Sequence, residues 1–112
     1  MKIAISSTEK SLDGNISDTF ARCPYFVFVE IKDGKIAESE EVENMSANKA
    51  GGAGISAAQT VAEKNIEAVI TANLGPRAAD VLSQFDIKAY KAGGTVKEAV
   101  QKFIDGKLEE IK

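Results

Sequence analysis

Three short segments rich in small residues, each directly before a predicted helix, are the part of this sequence that could bind an anion. They span Ala50–Gly54, Asn73–Arg77 and Ala92–Thr95. A helix start carries roughly half a positive charge and several backbone N–H groups that lack intrahelical partners. Glycine is also common before helices simply as a turn or cap residue. The prediction of an anion site therefore depends on the fold bringing the three segments together.

Positive side chains near these segments could strengthen an anion site in a chain whose net charge is −3. Arg22, Lys49 and Arg77 are the candidates, because charge-assisted hydrogen bonds to anions are the strong ones. Small and polar residues would complete the pocket, and the set we predict is Ser6, Ser7, Gly52, Gly54, Asn73, Gly75, Gly93 and Gly94.

Cys23 is the only cysteine, and the chain has no histidine. One cysteine without histidine cannot complete a tetrahedral zinc site, and no Cys-His or Ser-His-Asp nucleophile can form. Two interpretations of Cys23 stay open. It is either a small buried hydrophobic residue beside an aromatic strand or a thiolate metal ligand tuned by Arg22.

The sequence lacks the carboxylates that phosphoryl-transfer chemistry requires. Two-metal catalysis needs several acidic side chains on central strands. The predicted strands Lys2–Ser6 and Ala68–Thr71 carry none, and Asp80 is the lone acidic residue between Asn73 and Gln84. We therefore predict no nuclease or phosphatase activity. The mildly acidic charge also argues against non-specific binding of nucleic acid.

The length of 112 residues, with 44% hydrophobic and 28% charged residues, is typical of one globular domain. We assign it to residues 1–112, with a core over about 2–106. No apolar run approaches the roughly 18 residues of a membrane span, and the apolar part of the first residues is too short for a signal peptide. These features predict a cytoplasmic protein without a membrane partner.

Hydrophobic periodicity predicts an α/β fold. Strands are expected at Lys2–Ser6, Tyr25–Ile31, Lys35–Glu43, Ala68–Thr71 and Ile87–Tyr90, and helices at Ile55–Lys64, Pro76–Gln84 and from Thr95 onward. The Asp33-Gly34 turn forces one antiparallel hairpin, whereas the later βαβ units should be parallel and right-handed. The result is a mixed five-stranded sheet with helices on both faces. The tail Lys107–Lys112 is expected to be loosely ordered, and the loop Asn44–Gly54 to be mobile.

In such a sheet all three helices begin at the same edge. That edge lies outside the carboxyl ends of the parallel strands, which is where open α/β sheets bind their ligands. Convergence of the three segments at this edge is thus the geometric prediction on which an anion site depends.

Several segments resemble the dinitrogenase iron–molybdenum cofactor biosynthesis family, also described as nitrogenase accessory factor-like domains. They are Ile16–Phe26, Gly51–Ile55, Thr71–Ala78 and Ala92–Ala99. The resemblance implies a ribonuclease H-like α/β/α sandwich with sheet order 3-2-1-4-5 and strand 2 antiparallel. It also implies binding of an anionic iron–sulfur cluster, with or without molybdenum, and exchange with cluster-assembly or acceptor proteins. Many members carry two histidines that are absent here, one at the position of Thr19 and one in the region Ala50–Gly52.

Two hypotheses of function follow. The leading one is a non-enzymatic carrier of an anionic iron–sulfur or iron–molybdenum-type cluster or its precursor. The cluster would be held at the carboxyl edge of the sheet by N–H groups, the arginines and Cys23. The alternative is a regulatory domain that uses the same helix starts to bind phosphate or another small anion without metal.

Overall fold

A computed structural model describes residues 1–48 and 50–111. It contains six strands and three helices within these residues. The strands are β1 (Lys2–Ser7), β2 (Tyr25–Lys32), β3 (Lys35–Glu43), β4 (Ala68–Thr71), β5 (Lys88–Lys91) and β6 (Glu109–Ile111), and the helices are α1 (Ala53–Glu63), α2 (Pro76–Gln84) and α3 (Val96–Ile104). No helix in this part of the chain is long and apolar enough to cross a membrane.

The strands form one mixed sheet in the order β3-β2-β1-β4-β5-β6. The β1 strand pairs antiparallel with β2 and parallel with β4, and β4 pairs parallel with β5. The predicted mixed α/β sandwich, the order of its first five strands and the reversed β2 strand are therefore confirmed. Its assignment as ribonuclease H-like stays a prediction.

The prediction of five strands and a loose tail is wrong, because β6 adds a sixth strand. It pairs antiparallel with β5, with Ile111 opposite Ala89. Gly106 follows α3 with φ of 70°, a left-handed conformation that suits glycine and ends the helix. The returning chain then occupies the free edge of β5, whose backbone groups would otherwise lack partners.

The helices divide between the two faces of the sheet. On one face, Ala57 and Val61 of α1 and Leu82 of α2 pack against aromatic side chains of β2. On the other face, residues of α3 pack against Ile3 and Ile5 of β1. Because side chains alternate along a strand, β1 and β2 supply both cores. The body of α3 consequently lies on the opposite face of the sheet from α1 and α2.

Candidate functional site

A cavity of about 320 Å³ lies between the starts of α1 and α2. We call it the α1–α2 cavity. Three stretches of chain line it, namely Ala21–Arg22, Gly52–Ile55 and Gly75–Ala78. Among the described residues, its lining consists mostly of glycine and apolar residues, and the charged ones are two arginines.

Both helix starts at this cavity lack side-chain caps. Gly52 precedes α1 and Gly75 precedes α2, and neither start carries an acidic residue in its first turn. The first intrahelical bonds run from Ser56 N to Gly52 O and from Ala79 N to Gly75 O. The N–H groups in the preceding turn therefore have no intrahelical acceptor. They lie on segments that line the cavity, where an anion could accept from them.

Gly52 has a conformational reason to be glycine, whereas the positions of Gly54 and Gly75 leave room for a Cβ. Gly52 has φ of 72°, in the left-handed region. Gly54 lies where α1 approaches α2, since a Cβ there would stand 3.5 Å from Ala78 Cβ. Gly75 is different, because its φ of −73° is open to any residue and a Cβ would meet nothing within 4 Å.

The start of α3 differs, because every donor in its first turn is occupied. Thr95 Oγ1 accepts from Glu98 N at 3.2 Å, and Glu98 Oε1 accepts from Thr95 N at 3.3 Å. Val96 N and Lys97 N donate to Gly14 O and Leu12 O at 2.9 and 3.0 Å. Hydrogen bonds from Thr95 also lower the pKa of the Glu98 carboxyl, which keeps a negative charge at this helix start.

Gly93 and Gly94, two of the predicted site residues, precede this capped start and do not line the α1–α2 cavity. Gly94 has φ of 81°, which gives it a backbone reason to be glycine. Of the three predicted segments, the structure thus brings two together, while the third precedes a helix on the opposite face of the sheet.

The predicted residues Ser6, Ser7 and Asn73 support the site from outside the cavity lining. Ser6 is fully buried and donates to Thr71 Oγ1 at 2.8 Å, which joins the ends of β1 and β4. Ser7 Oγ donates to Glu9 O at 2.6 Å. Asn73 Nδ2 donates to Asp18 O at 2.9 Å, which fixes the loop that leads to Arg22.

The two predicted arginines both line the cavity. Arg22 Nη1 donates to Ala47 O at 3.0 Å, so its guanidinium is held in place by the loop after β3. Arg22 also lines a neighbouring polar pocket of about 310 Å³ together with Asn44 and Asn48. Arg77 is exposed in the first turn of α2. The third predicted cation, Lys49, lies outside the described residues.

Cys23 lies beneath the site and is fully buried. Burial raises the pKa of its thiol to about 12, although hydrogen bonds from the Ser7 backbone and the Asn44 side chain oppose the shift. The thiol is consequently neutral at pH 7 and a poor metal ligand in this conformation. Among residues 1–48 and 50–111, no group of three or more His, Cys, Asp or Glu could hold a metal ion.

Sequence reasoning missed Asn44, which organises the loop that was expected to be mobile. Its Nδ2 donates to Ala21 O and Cys23 O at 3.0 and 2.9 Å, and its Oδ1 accepts from Ser46 N at 3.0 Å. Ser46 and Ser56 share a hydroxyl hydrogen bond of 2.7 Å, which joins the loop to α1. The Asn-x-Ser spacing is an Asx-turn signal that could have revealed the local bond.

Comparisons with known proteins agree on the family. The sequence model of the dinitrogenase iron–molybdenum cofactor family matches residues 1–106. An uncharacterized protein of Methanocaldococcus jannaschii is 35% identical over 113 residues, which cover 99% of this chain and 96% of that protein.

Solved structures share the fold at similar identity. The apo form of the orange protein from Desulfovibrio gigas superposes with a TM-score of 0.91 at 34% identity, covering 98% of this chain and 92% of that one. A Thermotoga protein with a provisional NifB assignment gives a TM-score of 0.82 at 35% identity, covering 97% and 91%.

Proposed function

The chain belongs to the dinitrogenase iron–molybdenum cofactor family, and from this premise we propose that it is a non-catalytic carrier domain for an anionic metal–sulfur cluster. The cargo is of the iron–sulfur or iron–molybdenum type, or a precursor of one. Its place is the α1–α2 cavity, between Gly52–Gly54 and Gly75–Ala78. The observation that carries the proposal is that two uncapped helix starts and two arginines share this one cavity.

The donor set suits an anion that arrives with its own inner ligands. Backbone N–H groups and guanidinium groups donate hydrogen bonds to sulfide or thiolate sulfur, but they do not coordinate metal. The described residues offer no metal-ligand cluster beside the cavity. Cargo held in this way can be released without breaking a protein–metal bond, which suits transfer more than permanent storage.

The polarity of the cavity lining also supports a metal–sulfur cluster as the cargo. Ala21, Ile55, Pro76 and Ala78 give the cavity an apolar wall beside its N–H donors. A metal–sulfur cluster spreads its negative charge over polarisable sulfur atoms and is less strongly hydrated than phosphate. One relative supports a bound group, because the orange protein structure is of its apo form.

The second candidate is a regulatory domain that binds phosphate or another small anion. The uncapped starts favour it equally, because backbone N–H groups at a helix start accept any anion of suitable size. The apolar wall is the feature that favours a metal–sulfur cluster over phosphate. Direct competition between the two ligands is the measurement that distinguishes the candidates.

Anaerobic reconstitution with iron and sulfide tests the proposal. We expect absorbance in the visible region that co-elutes with the chain in gel filtration and that a large excess of phosphate leaves in place. Failure to retain iron and sulfide, together with saturable phosphate binding that Arg77→Ala weakens, would instead establish the small-anion candidate. Retention of metal that Arg77→Ala leaves unchanged would contradict the assignment to this cavity.

A further inference from the structure

A groove on the far side of α2 plays no part in the site described above. It has a volume of about 520 Å³ and is walled by α2 on one side and by β5 and β6 on the other. We call it the α2–β6 groove. More than half of its lining residues are apolar, namely Leu74, Ala79, Leu82, Ile87, Ala89 and Ile111.

The sixth strand creates this groove, because it widens the sheet beyond the helices that cover that face. Each strand adds about 4.8 Å, so β6 extends the sheet by roughly 5 Å beyond β5, which α2 contacts. A helix with its side chains is about 10–12 Å across. The core on this face contains residues of α1 and α2 but none of α3. A further helix beside α2 would therefore cover β6 and extend past the edge of the sheet.

The rim of the groove is predominantly acidic. Among the described residues, Asp80 and Asp86 contribute two carboxylates on the α2 side of the groove. Lys88 and Glu110 line the groove from the strands, but strand alternation directs their side chains to the face on which Tyr90 packs against Phe103. None of these four charged residues forms a salt bridge within the described part of the chain. Unpaired carboxylates beside an apolar floor are complementary to a helix whose apolar stripe is flanked by lysine or arginine.

We propose that the α2–β6 groove binds an amphipathic, basic α-helix contributed by a partner protein. A second copy of this chain does not supply such a helix. The α1 helix contains no lysine or arginine, and α2 contains only Arg77. The basic residues of α3 flank an apolar face that is already buried on its own sheet.

Docking here would place the partner against the helix that also forms the α1–α2 cavity. The first turn of α2 carries Arg77 and Ala78 toward that cavity, and the following residues Ala79 and Asp80 line the groove. The proposal nevertheless stands on the groove alone and does not depend on the identity of the cargo.

The experiment uses two synthetic peptides of about 15 residues, long enough to form a helix on binding. One combines a leucine stripe with lysine flanks, and the other replaces every lysine by glutamate. Amide spectra of the ¹⁵N-labelled full chain follow each titration. We expect saturable shifts in α2, β5 and β6 with the lysine peptide, and at least about tenfold weaker binding of the glutamate peptide, because its charges repel the rim.

Substitutions in the α2–β6 groove test where the lysine peptide binds. Ala79→Arg places a long side chain at a half-buried position of the groove lining and should abolish the shifts. The double change Asp80→Lys with Asp86→Lys should weaken binding about fivefold to tenfold, since each surface pair contributes little alone. Two matched controls should bind as the wild type does: Glu40→Lys on the exposed β3 strand, and Phe85→Ala, whose 57% exposed ring lies outside the groove lining.

Several outcomes would overturn the proposal. Equal affinity for the two peptides, or shifts centred on β3, would show that the lysine peptide recognises only general acidity. Unchanged binding by a folded Ala79→Arg variant, or by the double variant, would place the peptide elsewhere. Shifts of groove amides with protein concentration alone would show that a second copy covers the groove.

Discussion

The starts of α1 and α2 and the start of α3 lie at the same edge of the sheet, yet they differ in how their backbone N–H groups are satisfied. The first two carry glycine caps, no acidic residue in the first turn and no side-chain cap bond. The third carries a complete capping box, and carbonyl groups of the loop before β2 accept its remaining N–H groups. A helix start thus becomes an anion site only where the chain leaves its donors unsatisfied.

The largest effect should come from giving α2 the kind of cap that α3 has. Gly75→Asp places a carboxylate at a position whose backbone geometry suits an N-cap and where a Cβ meets nothing within 4 Å. The carboxylate would accept the Arg77 or Ala78 N–H and repel an anion. We expect the affinity for a metal–sulfur cluster to fall at least about a hundredfold, because several charge-assisted bonds are lost.

Gly75→Asn is the matched control, since it has the same shape without the charge. It should weaken cluster binding by about tenfold or less, because the loss is then confined to the capped N–H group. Isothermal titration of both variants with the same anaerobic cluster preparation measures the difference. Equal affinities for the two variants would show that charge at the start of α2 does not matter.

The next largest effect should come from Arg77→Ala, which removes a guanidinium from the cavity. Charge-assisted hydrogen bonds contribute about 1.5–3 kcal/mol, so binding should weaken roughly 10- to 100-fold. Lys97→Ala, in the first turn of α3, removes a cation from the capped start and should leave affinity unchanged. If Lys97→Ala weakened cluster binding more than Arg77→Ala does, the anion site would lie at the start of α3 and not at the α1–α2 cavity.

Thr95→Ala should affect stability rather than binding. It removes the hydroxyl that accepts from Glu98 N, and loss of such a cap costs about 1 kcal/mol. For a domain of 112 residues we expect the melting temperature to fall by about 4 °C. Cluster affinity, measured well below the transition, should stay constant. If the Thr95→Ala variant bound an anion at the start of α3, the capping box alone would be what prevents anion binding there.

Cys23→Ala should have the smallest effect on binding, below about threefold, because a buried neutral thiol is a poor metal ligand. Loss of the cluster in this variant would restore the thiolate interpretation.

The contribution of Cys23 to the free energy of unfolding should depend on pH. Burial raises the thiol pKa from 9.0 to about 12 in the folded chain. Between these values the unfolded chain loses its proton first, so the free energy of unfolding falls as pH rises.

The expected slope from Cys23 is about 1.4 kcal/mol per pH unit at most. Urea unfolding of the wild type and of Cys23→Ala at pH 8 and pH 10.5 measures this contribution. The difference between the two proteins cancels the effect of every other group that titrates in this range. The wild type should lose more stability than the variant between the two pH values. An identical loss in both would show that the thiol ionises normally in the folded chain.

Local patterns in the sequence predict most of the fold. Pro76 after Gly75 marks the start of α2, and the Thr95–Glu98 spacing predicts the capping box that the structure contains. The β6 strand escaped prediction because Glu109–Ile111 is short and has no alternating pattern, and it forms only where β5 offers an open edge. Pairing between distant backbones leaves no local signature.

The candidate site also contains some features that local sequence patterns predict and others that they do not. Gly52, Gly54, Gly75, Arg22 and Arg77 could be predicted because each stands beside a helix start or a motif, and they meet at one cavity. The bonds that occupy Val96 N and Lys97 N could not be predicted, since their acceptors are backbone carbonyls in the loop before β2. Glycine-containing segments therefore precede helix starts with free donors and a helix start whose donors are occupied.

Paramagnetic broadening in the amide spectrum tests the central claim most directly. After anaerobic reconstitution of the ¹⁵N-labelled chain with iron and sulfide, a bound cluster broadens the signals of nearby N–H groups. The account predicts that signals of Gly54, Arg77 and Ala78 disappear while those of Val96 and Lys97 remain sharp. Broadening centred on Val96 and Lys97, or uniform across the spectrum, would contradict it.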